Sequence, residues 1–263
     1  MTRVLAAESV TALAPEVRGA VLVAGSHGGI IAAHLAAAAG ARAVVFNDAG
    51  VGKDAAGIAG LAYLERIGTA AAAVAHTSAR IGDGADALER GVVSHANALA
   101  ASLGVVAGMR CREAAERLRA APPAHSAPPP YSDSRYLLQP GAVEVWGIDS
   151  IGKVIAADAG RVLVIGSHAA LHGGRPDSAL PVAARAALFH DAGAGAAGVT
   201  RLPVLGTRGI AAGAVGGTTA RIGDARSLWE TGLVAHLNRP ALDAGARPGM
   251  SAREFVALAA GRA

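Results

Sequence analysis

The residues able to do chemistry fall in short polar clusters between apolar runs: Gly25-Ser26-His27-Gly28-Gly29, Asn47-Asp48, Thr77 to Asp83 with Ser78, Arg80 and Asp83, and Ser94-His95-Ala96-Asn97. A histidine at 27 or 95 is suited to general-base work, Ser26 or Ser78 to nucleophilic attack or hydrogen-bond donation, and Asp48 to orienting an imidazole. Ser26 and His27 are adjacent and their side chains diverge, so a working pair is expected from different loops, such as Ser78 or Ser94 with His27 or His95. Arg80 offers a planar fork of donors to a substrate carboxylate, with Asp83 to orient it. Gly28 and Gly29 offer backbone N–H groups to an oxyanion or carboxylate. Lys53, as an anchoring amine or a solvated loop lysine, and Asn97 complete the candidate binding set. Gly, Ser, Asp and Asn also belong in turns and caps; His and Arg do not, which tips the balance toward function.

The clusters are written twice. Thr77-Ser78-Ala79-Arg80-Ile81-Gly82-Asp83 returns as Thr218-Thr219-Ala220-Arg221-Ile222-Gly223-Asp224, Gly25-Ser26-His27 as Gly166-Ser167-His168, and His95-Ala96-Asn97 as His236-Leu237-Asn238, each 141 positions on. His168, Asp191 and Arg221 therefore frame a second or degenerate site. The second copy lacks Lys53-Asp54, has Gly217 for His76 and has Ala235 for Ser94, which makes the first copy the better candidate for a working site.

Short apolar runs precede each cluster and alanine-rich stretches follow, the pattern of buried strands alternating with helices. The expected fold is α/β: a tandem duplication of a parallel-sheet, Rossmann- or flavodoxin-like β-α unit, about four strands per copy, with pseudo-two-fold symmetry. Residues 1–120 form the first repeat, 121–144 a proline-rich linker with Pro128-Pro129-Pro130, and 145–263 the second repeat. Every cluster then projects from the carboxyl ends of strands, where open α/β sheets bind ligands.

Composition narrows the chemistry. Aromatics are 3%, and the two lysines among 24 basic residues, Lys53 and Lys153, form no basic stripe, which disfavours nucleic acid. No apolar run reaches the length of a membrane span, and Glu8 interrupts the early apolar stretch, so a cytoplasmic protein without a membrane partner is expected. The single Cys111 cannot form an intramolecular disulfide. Gly-x-Ser-x-Gly is absent, and the glycine cluster fits neither the Walker pattern nor the dinucleotide fingerprint.

The expected activity is hydrolysis of a polar amide- or carbonyl-containing metabolite, the substrate anionic or carboxylate-bearing. No cofactor is called for by the motifs, but His27, Asp48, Asp83 and His95 are of the right types for Zn or Mn, so a metal-dependent lyase or isomerase is the alternative. A non-catalytic protein binding a small anion is the third expectation. Association of the chain with copies of itself stays open.

Overall fold

The computed structural model describes residues 2–131 and 134–261. The chain divides into two compact units, Met1–Val51 with Ala55–Tyr131, and Gly52–Asp54 with Ser132–Ala263.

The first unit is built on strands β1 (Val4–Ala7), β2 (Val21–His27), β3 (Ala43–Asn47), β4 (Ala70–Val74) and β5 (Val93–Ala96), side by side in that order. Helices α1 (Ile30–Ala38) and α2 (Ala59–Arg66) connect β2 to β3 and β3 to β4. Helices α3 (Gly84–Arg90), α4 (Ala98–Ser102) and α5 (Cys111–Leu118) follow. Side chains alternate between two cores with the period of two that a pleated strand imposes. Val21, Val23, Ala43, Val45, Ala70 and Ala72 pack with α3, α4 and α5. Leu22, Ala24, Val44, Phe46, Ala71 and Ala73 pack with α1 and α2. Both faces of the sheet are therefore covered, as a parallel sheet requires.

Four of the five strands run parallel, and β5 pairs antiparallel with β4. The exception has a local cause. The loop after β4 returns through the short α3 to the end where β4 stops, and Ala75 N donates to Val92 O at 2.8 Å.

The second unit carries β6 (Arg135–Gln139), β7 (Val145–Ile148), β8 (Val162–His168), β9 (Ala186–His190), β10 (Ala211–Val215) and β11 (Val234–Leu237), in the sheet order β11-β10-β9-β8-β7-β6. Strands β7 to β10 are parallel, with β11 and β6 antiparallel at the two edges. Helices α6 (Arg201–Thr207), α7 (Ala225–Thr231), α8 (Arg239–Asp243) and α9 (Ala252–Ala260) complete it. Three differences from the sequence expectation stand out. The sheets have five and six strands rather than four each, and β6 lies inside the proline-rich stretch, where it pairs with β7. No helix corresponds to α1 either: 3-10 turns at His172–Gly174 and Pro176–Ser178 take its place. Among the described residues no helix is long and apolar enough to cross a membrane.

Candidate functional site

Much of the repeated polar vocabulary turns out to tie loops to strand ends. Ser26 Oγ accepts Val10 N at 3.0 Å, and Ser167 Oγ accepts Ile151 N at 2.9 Å, the same bond in each unit. Ser78 Oγ donates to Ala75 O and accepts Val92 N, as Thr219 Oγ1 does with Gly216 O and Leu233 N. Asn97 is saturated: Oδ1 accepts Ala71 N and Ala100 N, and Nδ2 donates to Leu61 O and Thr69 O. Asn238 repeats all four bonds. A buried amide with every donor and acceptor used fixes strand, helix start and loop together.

The best-kept loop, 77–83, behaves in the same way. Asp83 caps α3 through Asp86 N and takes Arg80 Nη2 at 3.0 Å. Asp224 caps α7 through Ser227 N and takes Arg221 Nη2 at 2.8 Å. Burial pushes the Asp86 carboxyl up, yet hydrogen bonds from Arg90 and Arg80 N outweigh it and hold it below 3.8. The loop crosses the end of β2 so closely that a Cβ on Gly25 would collide with Asp83 N, which explains the glycine there and at Gly166. Even the exchange of Asn47 for His190 keeps one bond: Asn47 Nδ2 donates to Ala79 O at 3.1 Å, and His190 Nε2 donates to Ala220 O at 3.0 Å.

His27 is 5% exposed, and its Nδ1 accepts Gly29 N at 3.1 Å; His168 Nδ1 accepts Ala170 N at 3.3 Å. Gly28 N donates to Asn47 O at 2.9 Å. The N–H groups expected to meet an oxyanion at Gly28 and Gly29 are thus engaged inside the protein. Lys53 lies in the second unit, where Nζ donates to Thr231 Oγ1 at 3.0 Å and Thr219 O at 3.3 Å. Arg221 there binds both Asp224 and Asp54.

What these ties leave over is a cluster at the carboxyl ends of β3 and β4 and on the adjoining β5. Asp48, its side chain 5% exposed, accepts three N–H groups on Oδ1, each at 2.9 Å: Gly50 N, His76 N and the ring Nδ1 of His76. A carboxylate only accepts, so the proton of the neutral His76 ring sits on Nδ1 and Nε2 presents a lone pair. That ring is 31% exposed. On the adjoining β5, His95 Nδ1 meets Ser94 Oγ at 3.0 Å, and Ser94 Oγ reaches Ala73 O at 3.3 Å.

The backbone around Asp48 is strained. Ala49, Gly50, Val51 and Gly52 have φ of 51, 72, 63 and 68°, four consecutive left-handed residues of which two carry a Cβ. Asn47 Oδ1 holds Ala49 N, and Asp48 O holds Val51 N. The turn brings Gly50 beneath the His76 ring: a Cβ at Gly50 would stand 3.5 Å from Nε2. Strain of this kind, roughly 1–3 kcal/mol for each non-glycine residue, gathers where a site needs a fixed geometry.

No family model, curated protein or solved structure matches the chain.

The second unit keeps the carboxylate but changes its partner. Asp191 N donates to Val215 O as Asp48 N does to Val74 O. With glycine at 217, Asp191 Oδ2 takes His236 Nε2 at 3.0 Å instead. His236 also lines an open groove of about 680 Å³ with Leu202, Pro203, Leu237 and Leu242. Among the described residues no three His, Cys, Asp or Glu side chains converge as metal ligands, so His27, Asp48, Asp83 and His95 are not gathered into one set. Sequence reasoning placed Asp48, Ser94 and His95 in the chemistry and left His76 and His236 outside the site. The signal for His76 was its replacement by glycine in the second copy, which marks a residue that the fold itself does not need.

Proposed function

We propose that the first unit is a hydrolase of a small polar metabolite bearing an amide or activated carbonyl, with His76 as general base and Asp48 as the residue that orients it. The observation that carries this is the 2.9 Å bond from His76 Nδ1 to the buried Asp48 Oδ1, on a ring whose Nε2 carries a lone pair. In the proposed reaction a water gives a proton to Nε2 as its oxygen attacks the carbonyl carbon. Asp48 stabilises the imidazolium, and the same proton passes to the leaving nitrogen as the carbon–nitrogen bond breaks. The Ser94-His95 pair on the adjoining strand β5 is the proposed source of a hydroxyl and a second imidazole to position the carbonyl. Arg80, 58% exposed at its side chain and 3.0 Å from Asp83, is the proposed contact for a substrate carboxylate.

The test is a screen of small amides, ureides and lactams with the wild-type chain and a His76→Ala variant shown to be folded by circular dichroism. Turnover lost at least a hundredfold in the variant is the expected result. Turnover equal in both proteins would remove His76 from the reaction.

A further inference from the structure

At the opposite end of the first sheet, where β2, β3 and β4 begin, lies a cavity of about 250 Å³ lined by Arg18, Arg42, Thr69 and Ser126 among others. Among the described residues no acidic one lines it. Arg42 Nη1 donates to Ala121 O at 2.7 Å and Nε to Gly19 O at 3.4 Å, both neutral carbonyls. Among the described residues neither Arg42 nor Arg18 has a carboxylate in ion-pair range. Thr69 is 0% exposed, and its Oγ1 is buried without a hydrogen-bond partner. An orphaned hydroxyl costs stability unless something accepts from it or donates to it.

The second unit shows what the fold alone requires here. Arg42 has a counterpart in Arg185, which likewise pins the end of the last helix through Ala259 O. Arg18 follows Pro15 with the same turn bond that Ala159 makes to Ala156, and Thr69 accepts from Asn97 as Ile210 accepts from Asn238. At those two positions the second unit is content with alanine and isoleucine. The charge that sets the first unit apart lines the cavity, and the hydroxyl lies buried in its wall.

We propose that this cavity binds a phosphate-type oxyanion, either free or as the phosphoryl group of a small metabolite. Guanidinium donors come from two separate segments, Arg18 in the turn before β2 and Arg42 at the start of β3, with the Thr69 hydroxyl buried behind the wall at the start of β4. A tetrahedral anion with acceptor oxygens on every side matches that arrangement better than a planar carboxylate. Gly40, with φ of 80°, leaves room for the Arg18 side chain to lie across the end of α1, its Nη1 3.2 Å from where a Cβ would be. Pro123 and Pro128 also line the cavity.

The test is calorimetric titration with inorganic phosphate, with sodium chloride and acetate at matched ionic strength as controls. The proteins are the wild-type chain and the variants Arg18→Ala, which carries the residue of its second-unit counterpart, and Arg42→Gln, which keeps a donor for Ala121 O but removes the charge. Saturable phosphate binding that weakens about tenfold or more in each folded variant is expected, the loss of one strong hydrogen bond apiece. Phosphate acting no differently from chloride overturns the proposal, as do acetate binding in its place and variants that bind like wild type. None of these outcomes touches the His76 chemistry at the other end of the strands.

Discussion

Asp48 binds His76 twice through one oxygen: Oδ1 accepts both the backbone N and the ring Nδ1 of His76 at 2.9 Å. The backbone bond fixes where the residue starts, and the ring bond fixes which nitrogen carries the proton. Asp48→Ala is expected to free the ring and shift its tautomer toward Nε2–H, which imidazole nitrogen NMR reads without any substrate. Once a substrate is in hand, kcat should fall by about 10²–10⁴, the range seen when an orienting carboxylate or a general base is removed. An unchanged tautomer would show that Asp48 does not set it.

The two units choose different histidines for the same carboxylate, and the choice follows from two residues. Where His76 and Ser94 are present, His76 holds Asp48 and His95 turns to Ser94. Where Gly217 and Ala235 stand instead, His236 reaches Asp191. The double variant His76→Gly, Ser94→Ala is therefore expected to bring His95 Nε2 within about 3 Å of Asp48, a normal N–H···O distance, in a crystal structure. A His95 that stays away from Asp48 would place the cause elsewhere in the loop.

The repeat, the α/β class and the strand-end position of the polar clusters were legible because they rest on local pattern: apolar runs, glycine turns and a second writing of the same phrase. The division of labour within the clusters was not. Ser26, Ser78, Asp83 and Asn97 carry the residue types of catalysis, yet each makes the bonds of a loop tie, and that depends on the carbonyl or N–H that tertiary packing brings opposite. His76 was legible only in reverse, through its absence from the second copy. The antiparallel edges were hidden for a related reason: strand direction is set by the path of the connection, and apolar strands such as β4, Ala70–Val74, read alike in either sense.

Gly60 and Arg201 hold equivalent places, each donating its N–H to the turn after the long strand, Gly28 O and Ala169 O respectively, at 2.8 Å. In the first unit α1 packs so near that a Cβ on Gly60 would be 2.6 Å from Ala33 Cβ and 2.6 Å from Gly28 O. Gly60→Ala is expected to destabilise the first unit by about 1–3 kcal/mol, the usual cost of overpacking, even though alanine is the better helix former. Urea unfolding measures it. A gain in stability would mean that α1 and α2 can separate freely.

In the second unit, which has no such helix, Arg201 fills the gap fully buried. It donates to Ser178 O and Ala179 O, and its Nη2 meets His172 Nε2 at 3.1 Å. Burial first, then the Arg201 and Arg175 charges, press His172 down to about 3, so the ring is neutral in the folded protein and accepts from Arg201. In the unfolded chain the same ring takes its proton near pH 6.5. Between those values the unfolded state binds the extra proton, so the stability contributed by the neutral ring is complete above pH 6.5 and is lost as pH falls toward 3. Thermal midpoints followed from pH 7 to 4 should fall with a slope of about one proton more than in His172→Gln, which keeps an acceptor but cannot titrate. Equal slopes in the two proteins would show that His172 is protonated without cost, and that the Arg201 contact is not what holds the 172–179 segment in place.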